Sequence, residues 1–261
     1  MPFWRSKPEE PSADAPRAAA APAPPPVRFG VPVGSCALAA DPLQQTVAVG
    51  TVSGEVMLFG RGGAQMLLPP PADAAVRHLV FDTNAGRLMS VHAPGTVCVW
   101  SLRDSVRLTA RCTLTVGAAP ATVTVASILP GSGIALFGTQ QGTALAFDLV
   151  GGKVAPWSLA PGDGPLCALE PNPQEPRRLL VGDRALHVYE LTEAGGSRVC
   201  TFGTLGPDES GPAPVLCCAS WCGRQLLAGY DDGRVLVHSV RNPAAPNATL
   251  LVNPFARGPR R

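Results

Sequence analysis

Hydrophobic and polar positions alternate along most of this 261-residue chain, in short runs separated by Gly, Pro, Asp and Asn. From Val27 onward, no segment keeps a helical hydrophobic period through three turns, and the runs instead show the two-residue period of half-buried strands. The 28 glycines and 29 prolines are spread through the chain, as expected where turns join many short strands. The pattern therefore predicts an all-β protein.

A hairpin pattern recurs five times along the chain. Each copy has an apolar run, a turn and a second alternating run that ends on an aromatic residue or His; the copies span residues 47–59, 88–100, 134–147, 179–189 and 226–238. The terminal residues are 41, 47, 42 and 49 positions apart. WD-type propeller blades repeat about every 40–45 residues, with four strands each. The spacing thus predicts one blade for each copy.

The turn residue lies five positions before the terminal residue in every copy. Four of these turn residues are glycines, which tolerate the positive φ of tight hairpin turns. The fourth copy has Arg184 instead, so that its turn is predicted to be irregular. The predicted structural positions of the blades are Gly54, Phe59, Gly95, Trp100, Gly142, Phe147, Tyr189, Gly233 and His238.

A further strand pattern precedes each hairpin, at 36–41, 76–82, 121–129, 166–171 and 215–221. We therefore predict an all-β, WD-repeat-like β-propeller with about five blades visible, as part of a seven-bladed ring, because stacked blades bury the faces of sheets that are too small to fold alone. The predicted propeller spans 27–250, with blades at 27–63, 74–104, 119–154, 164–193 and 213–242. An Ala/Pro-rich leader at 1–26 is predicted to be disordered, and 251–261 to be an irregular end.

The composition favours a folded protein of nearly neutral charge. Hydrophobic residues make up 46% and charged residues 15%, and the net charge is +2. Neither nucleic acid nor an anionic membrane surface is therefore expected as the main partner. No apolar stretch approaches membrane-spanning length, and residues 1–26 lack the apolar segment of a signal peptide. We expect a cytoplasmic protein with reduced thiols.

The densest group of candidate metal ligands is formed by Cys217, Cys218 and Cys222. Zinc sites commonly use two pairs of ligands, and the second pair is missing here. Adjacent residues of a strand also point to opposite faces, which separates Cys217 from Cys218. We therefore expect no metal and no cofactor, and we interpret these cysteines as small apolar residues of the core.

Residues suited to acid–base chemistry are scattered over the predicted blades. The histidines are His78, His92, His187 and His238. We interpret His187 and His238 as packing or hydrogen-bonding groups between blades, and no G-x-S-x-G nucleophile motif accompanies them. A propeller hydrolase would need the polar residues of the inner strands to converge: Asp41, His78, Asp82 and Glu170. The sequence alone therefore favours a binding protein over an enzyme.

The segment 29–63 resembles the opening blade of the lethal giant larvae/tomosyn family. The matching residues are Phe29, Gly30, Pro32, Ala39, Asp41, Pro42, Gln44, Ala48, Gly50, Thr51, Ser53, Gly54, Gly60 and Gly63. The segments 76–104 and 221–246 are similar to the second and fifth blades of that family, with His238 at the position of a closing Trp.

This resemblance implies a cytoplasmic regulator of vesicle exocytosis that also associates with the periphery of the plasma membrane. Family members bind syntaxin-type SNAREs, act in cell polarity, and are linked to myosin II and to Rab pathways through GTPase regulation. They normally carry two propellers and a C-terminal tail, so no partner-binding residue is transferred to this chain. A generic WD-repeat adaptor of another multiprotein complex is the alternative, with the same fold and a different partner.

Overall fold

The computed structural model describes residues 30–69, 73–103, 105–159, 162–192, 195–203 and 213–251. The predicted leader at 1–26 and nearly all of the predicted end at 251–261 lie outside these residues. The described residues form antiparallel β-strands joined by turns, with one short 3-10 helix at Arg61–Gly63. The prediction of an all-β protein is confirmed.

The first two sheets each contain four strands that pair in the order of the sequence. Sheet one comprises β1 (Ser35–Asp41), β2 (Thr46–Thr51), β3 (Val56–Phe59) and β4 (Gln65–Leu68). Sheet two comprises β5 (Val76–Asp82), β6 (Arg87–His92), β7 (Thr96–Ser101) and β8 (Arg107–Thr113). A small ladder of β9 (Thr115–Val116) and β10 (Ala119–Pro120) follows sheet two.

The third and fourth sheets are antiparallel and joined edge to edge by one parallel bridge, Ser158 to Gly195. Sheet three comprises β11 (Val123–Leu129), β12 (Ile134–Thr139), β13 (Ala144–Asp148) and β14 (Lys153–Ser158). Sheet four comprises β15 (Ala168–Pro171), β16 (Arg178–Gly182), β17 (Leu186–Thr192) and β18 (Gly195–Phe202). Sheet five comprises β19 (Leu216–Cys222), β20 (Gln225–Tyr230), β21 (Val235–Ser239) and β22 (Ala248–Leu251).

The first strands of consecutive sheets are neighbours in space, in the order β1, β5, β11, β15 and β19. Contact of similar extent between β19 and β1 is not found in the described part of the chain, so no closed ring is observed. Four-stranded sheets standing side by side through their first strands fit a β-propeller-like fold. This arrangement agrees with the prediction of a β-propeller-like fold.

In the described part of the chain, the hydrophobic core consists of four clusters, one between each pair of consecutive sheets. Side chains of strand β6 point alternately to the two faces of sheet two and so contribute to two clusters. Leu88 packs in the cluster shared with sheet one, whereas Met89 and Val91 pack in the cluster shared with sheet three. Because both faces of sheet two are covered, β6 is buried at nearly every position.

The outer face of sheet one is more open. Leu38 and Leu67 lie on the face turned away from sheet two, and they are 71% and 52% exposed. A single small sheet cannot cover both of its own faces, and this one is covered by a neighbouring sheet only on the side of sheet two among the described residues.

The hairpin turns between second and third strands place glycine in a conformation that other residues rarely adopt. The φ values of Gly54, Gly95, Gly142 and Gly233 are 91°, 140°, 80° and 85°. In sheet four, Arg184 has no positive φ, and the turn is instead held by Asp183, whose Oδ1 accepts a hydrogen bond of 2.7 Å from the amide of Ala185. The hydrogen bond to the Asp183 carboxylate thus stabilises this turn without a residue at positive φ.

Candidate functional site

The polar residues of the predicted inner strands do not gather into one site. Asp41 accepts hydrogen bonds within its own turn, and Asp82 forms an ion pair with Arg87 at 2.7 Å. His78 Nε2 lies 3.3 Å from the carbonyl oxygen of Val123. No hydrogen bond or ion pair joins any two of Asp41, His78, Asp82 and Glu170 among the described residues.

The three clustered cysteines of sheet five, Cys217, Cys218 and Cys222, are exposed and make no disulfide, so the interpretation of them as residues of the core is wrong. In the part of the chain that the structure describes, no group of three His, Cys, Asp or Glu side chains could hold a metal ion. Burial raises the pKa of Cys98 and of Cys167 to about 11, which leaves both as protonated, weakly nucleophilic thiols at neutral pH.

A chain of hydrogen bonds crosses the interior of sheet two. The indole Nε1 of Trp100 donates to Ser90 Oγ at 3.1 Å, and Ser90 Oγ lies 3.0 Å from His92 Nε2. His92 Nδ1 lies 3.2 Å from the carbonyl oxygen of Ala74. A neutral His92 with its proton on Nδ1 satisfies every group, because the Ser90 hydroxyl then donates to Nε2. The chain ties two strands, β6 and β7, to the segment that enters sheet two.

A second polar chain runs through sheet four. His187 Nδ1 lies 2.9 Å from Thr201 Oγ1, and His187 Nε2 lies 3.2 Å from Asp183 Oδ1. Hydrolases use a hydroxyl, an imidazole and a carboxylate in series. Here the carboxylate also accepts a hydrogen bond of 3.0 Å from the amide of Asp163, in the loop that enters sheet four. The geometry therefore anchors that loop to the turn at Asp183.

His238 differs from the other buried histidines. It is fully buried against Phe202, with ring centroids 5.1 Å apart, and neither ring nitrogen has a hydrogen-bond partner among the described residues. Burial lowers the pKa of His238 below the ordinary value of 6.5. A buried polar atom without a partner costs about 1–3 kcal/mol. His238 thus occupies a ring position that suits an apolar aromatic residue better.

We expect His238→Phe to increase the free energy of unfolding at pH 7 by about 1 kcal/mol, because it removes two unsatisfied nitrogens and keeps the ring contact. Urea denaturation followed by circular dichroism measures this change. His187→Phe is the matched control, since His187 has partners on both nitrogens and its replacement should destabilise. A loss of stability in both variants would contradict the proposed origin of the effect.

The same residue predicts a dependence of stability on pH. The folded-state pKa of His238 is lowered, so the unfolded chain binds this proton more readily, and stability falls as the pH drops below about 6.5. Burial lowers the pKa of His78 and His92 in the same direction. His238→Phe should therefore show a shallower loss of stability between pH 7 and 5, measured by the same denaturation series. An unchanged slope would contradict this assignment.

Sheets four and five are clamped together by Glu170. Its carboxylate accepts hydrogen bonds from Ser220 Oγ at 3.2 Å and from the amide of Trp221 at 3.3 Å, and its carbonyl oxygen accepts one from Trp221 Nε1 at 3.0 Å. Burial raises the pKa of Glu170, while these hydrogen bonds act in the opposite direction. The clamp fixes the position of Trp221 at the junction of the two sheets.

A groove of about 650 Å³ opens beside this junction. Three connections form it: the turn from β15 to β16, the turn from β19 to β20, and the end of β21. In an antiparallel sheet, the connection between the first and second strands and the connection after the third strand lie at the same end of the sheet. We call the site the arginine groove, after its basic residues Arg178, Arg224 and Arg241. Sequence reasoning missed the site, because these residues are far apart along the chain and belong to no motif.

Comparison with known proteins gives a distant relative and a shared fold. No protein-family model matches the chain. Human lethal(2) giant larvae protein homolog 1 is 27% identical over 186 residues, which cover 60% of this chain and 18% of that protein. The chain thus spans about a fifth of the length of this curated relative.

Among solved structures, the crystal structure of the computationally designed Ika8 protein matches with a TM-score of 0.60 and 14% identity. The match covers 82% of this chain and 61% of the designed protein, and it shows the fold alone. No helix among the described residues is long and apolar enough to cross a membrane. Together, the comparisons support a β-propeller-like protein with a distant, partial relationship to lethal giant larvae proteins.

Proposed function

We propose that the chain is part of a WD-repeat-like β-propeller of the lethal giant larvae/tomosyn family and acts as a noncatalytic protein-interaction scaffold. The observation that carries this proposal is the series of five four-stranded sheets packed through their first strands, together with the distant relative. Such an arrangement buries the faces of the sheets and leaves their turns and grooves free to bind other proteins.

The proposed partner is a syntaxin-type SNARE, and the proposed process is vesicle exocytosis at the cytoplasmic side of the plasma membrane. By occupying the SNARE, the propeller would change how much of it is available for fusion. Myosin II and Rab-pathway proteins are further proposed partners. A seven-bladed ring would supply two more blades than the five sheets described here.

Direct binding tests this proposal. The chain, immobilised through its N-terminus, should bind the cytoplasmic part of a syntaxin saturably in biolayer interferometry. An unrelated helical bundle of similar net charge serves as the control for nonspecific attraction. Absence of saturable syntaxin binding, both with this chain and with the natural protein that contains it, would contradict the SNARE proposal and favour the generic WD-repeat adaptor.

A further inference from the structure

We propose that the arginine groove between sheets four and five binds an acidic peptide segment of a protein partner. This inference rests on the proposed scaffold function and adds to it the location and chemistry of one binding surface. Three observations support it: the charge of the groove, its polar lining and the rigidity of its walls.

The charge of the groove is unbalanced. Arg178 forms an ion pair with Glu175, its Nε lying 2.8 Å from a carboxylate oxygen. Arg224 and Arg241 are exposed and form no ion pair with any residue that the structure describes. Among the lining residues, three arginines against one carboxylate leave an excess of two positive charges; the nearby Glu170 carboxylate is already engaged by Ser220 and the amide of Trp221. Guanidinium groups pair with carboxylates through two parallel hydrogen bonds, which favours Glu and Asp side chains as ligands.

The rest of the lining suits a peptide. Gln174, Gln225 and Ser239 contribute amide and hydroxyl groups that can both donate to and accept from a peptide backbone. The volume is that of a site for a few side chains. Trp221 is only 8% exposed, so that its ring forms part of the wall and offers little surface for base stacking. These features favour an acidic peptide over a nucleic acid.

The walls are held in place before any ligand arrives. In the turn from β15 to β16, Asn172 Oδ1 accepts hydrogen bonds from the amides of Gln174 at 2.8 Å and Glu175 at 3.2 Å. At the end of β21, Ser239 Oγ accepts a hydrogen bond of 3.3 Å from the amide of Arg241. The Glu170 clamp holds the two sheets together beneath the groove. A preformed site loses less conformational entropy when it binds a ligand.

Fluorescence anisotropy with a labelled Glu-rich peptide tests the inference on the whole chain. We expect saturable binding that weakens with added salt. Replacement of Arg224 or Arg241 by Ala should weaken it about three- to tenfold each, because each removes one charge-assisted contact in a partly exposed site. Arg107→Ala is the matched control, since Arg107 is an exposed arginine of β8 in sheet two. Thermal melting of each variant confirms that it is folded.

Charge reversal sharpens the test. With Arg224→Glu and Arg241→Glu combined, the preference should shift from the Glu-rich peptide to a Lys-rich peptide of the same length. Equal affinity of the control and groove variants for the Glu-rich peptide would overturn the inference, as would a single-stranded RNA oligonucleotide that binds the groove more tightly than the peptide. If the groove fails these tests but syntaxin binding persists, the inference about the groove is wrong and the proposed scaffold function is retained.

Discussion

Ser90→Ala is expected to lower the free energy of unfolding by about 3 kcal/mol. Ser90, His92 and Trp100 are all buried, and the serine hydroxyl is the shared partner of the other two. Its removal leaves the indole N–H of Trp100 and the Nε2 of His92 without partners in the interior. Each orphaned buried group costs about 1–3 kcal/mol, and the two costs add in one variant.

Urea denaturation at pH 7, followed by both circular dichroism and tryptophan fluorescence, measures this loss. Ser105→Ala is the matched control, because Ser105 is exposed in the connection between β7 and β8. The control should remain within about 0.5 kcal/mol of the wild type. Equal stabilities of the two variants would show that the hydrogen-bond chain through Ser90 does not stabilise sheet two.

Gly95→Ala is the second change with a large expected effect, a loss of about 3 kcal/mol. Gly95 has a φ of 140°, and a Cβ at this position would lie 2.3 Å from the carbonyl oxygen of Ala121. The backbone of Gly95 cannot move away easily, since its carbonyl oxygen accepts a hydrogen bond of 2.9 Å from the amide of Leu114. The new methyl group would therefore push sheets two and three apart.

Gly117→Ala measures the cost of placing an L-residue at positive φ where there is no close contact. Gly117 also has a positive φ, of 63°, but a Cβ there would meet no atom within 4 Å. It should lose only about 1 kcal/mol, the cost of placing an L-residue in the left-handed region. Thermal melts of both variants give the comparison. Losses of the same size would show that neither the close approach to Ala121 nor the larger φ of Gly95 destabilises the fold further.

Much of the fold could be predicted from local pattern. The apolar runs of β6 and β20, the alternating runs that follow them and the glycines of the turns predict hairpins, because strand direction and turn geometry depend on neighbours in the sequence. The fourth strands were harder to recognise. Strand β8 alternates polar and apolar residues, but most of its side chains are exposed and it contains no aromatic or β-branched apolar residue to mark it as a strand. An outer strand with little burial carries little of the signal on which such predictions depend.

The arginine groove could not be predicted from local sequence patterns. Arg178 lies 46 positions before Arg224 and 63 before Arg241. No spacing rule relates them, since they meet only because sheets four and five pack side by side and place their turns at one edge. The histidines show the same limit. Sequence reasoning treated His187 and His238 alike, whereas among the described residues His187 has two hydrogen-bond partners and His238 has none.

The sequence by itself determined that this protein is built of short strands in repeated hairpins, because alternation and turn glycines act within a few residues of each other. Only the tertiary structure decided which groups are satisfied in the interior and where charge collects on the surface. Those outcomes depend on the packing of one sheet against the next, which brings together residues that the chain keeps far apart.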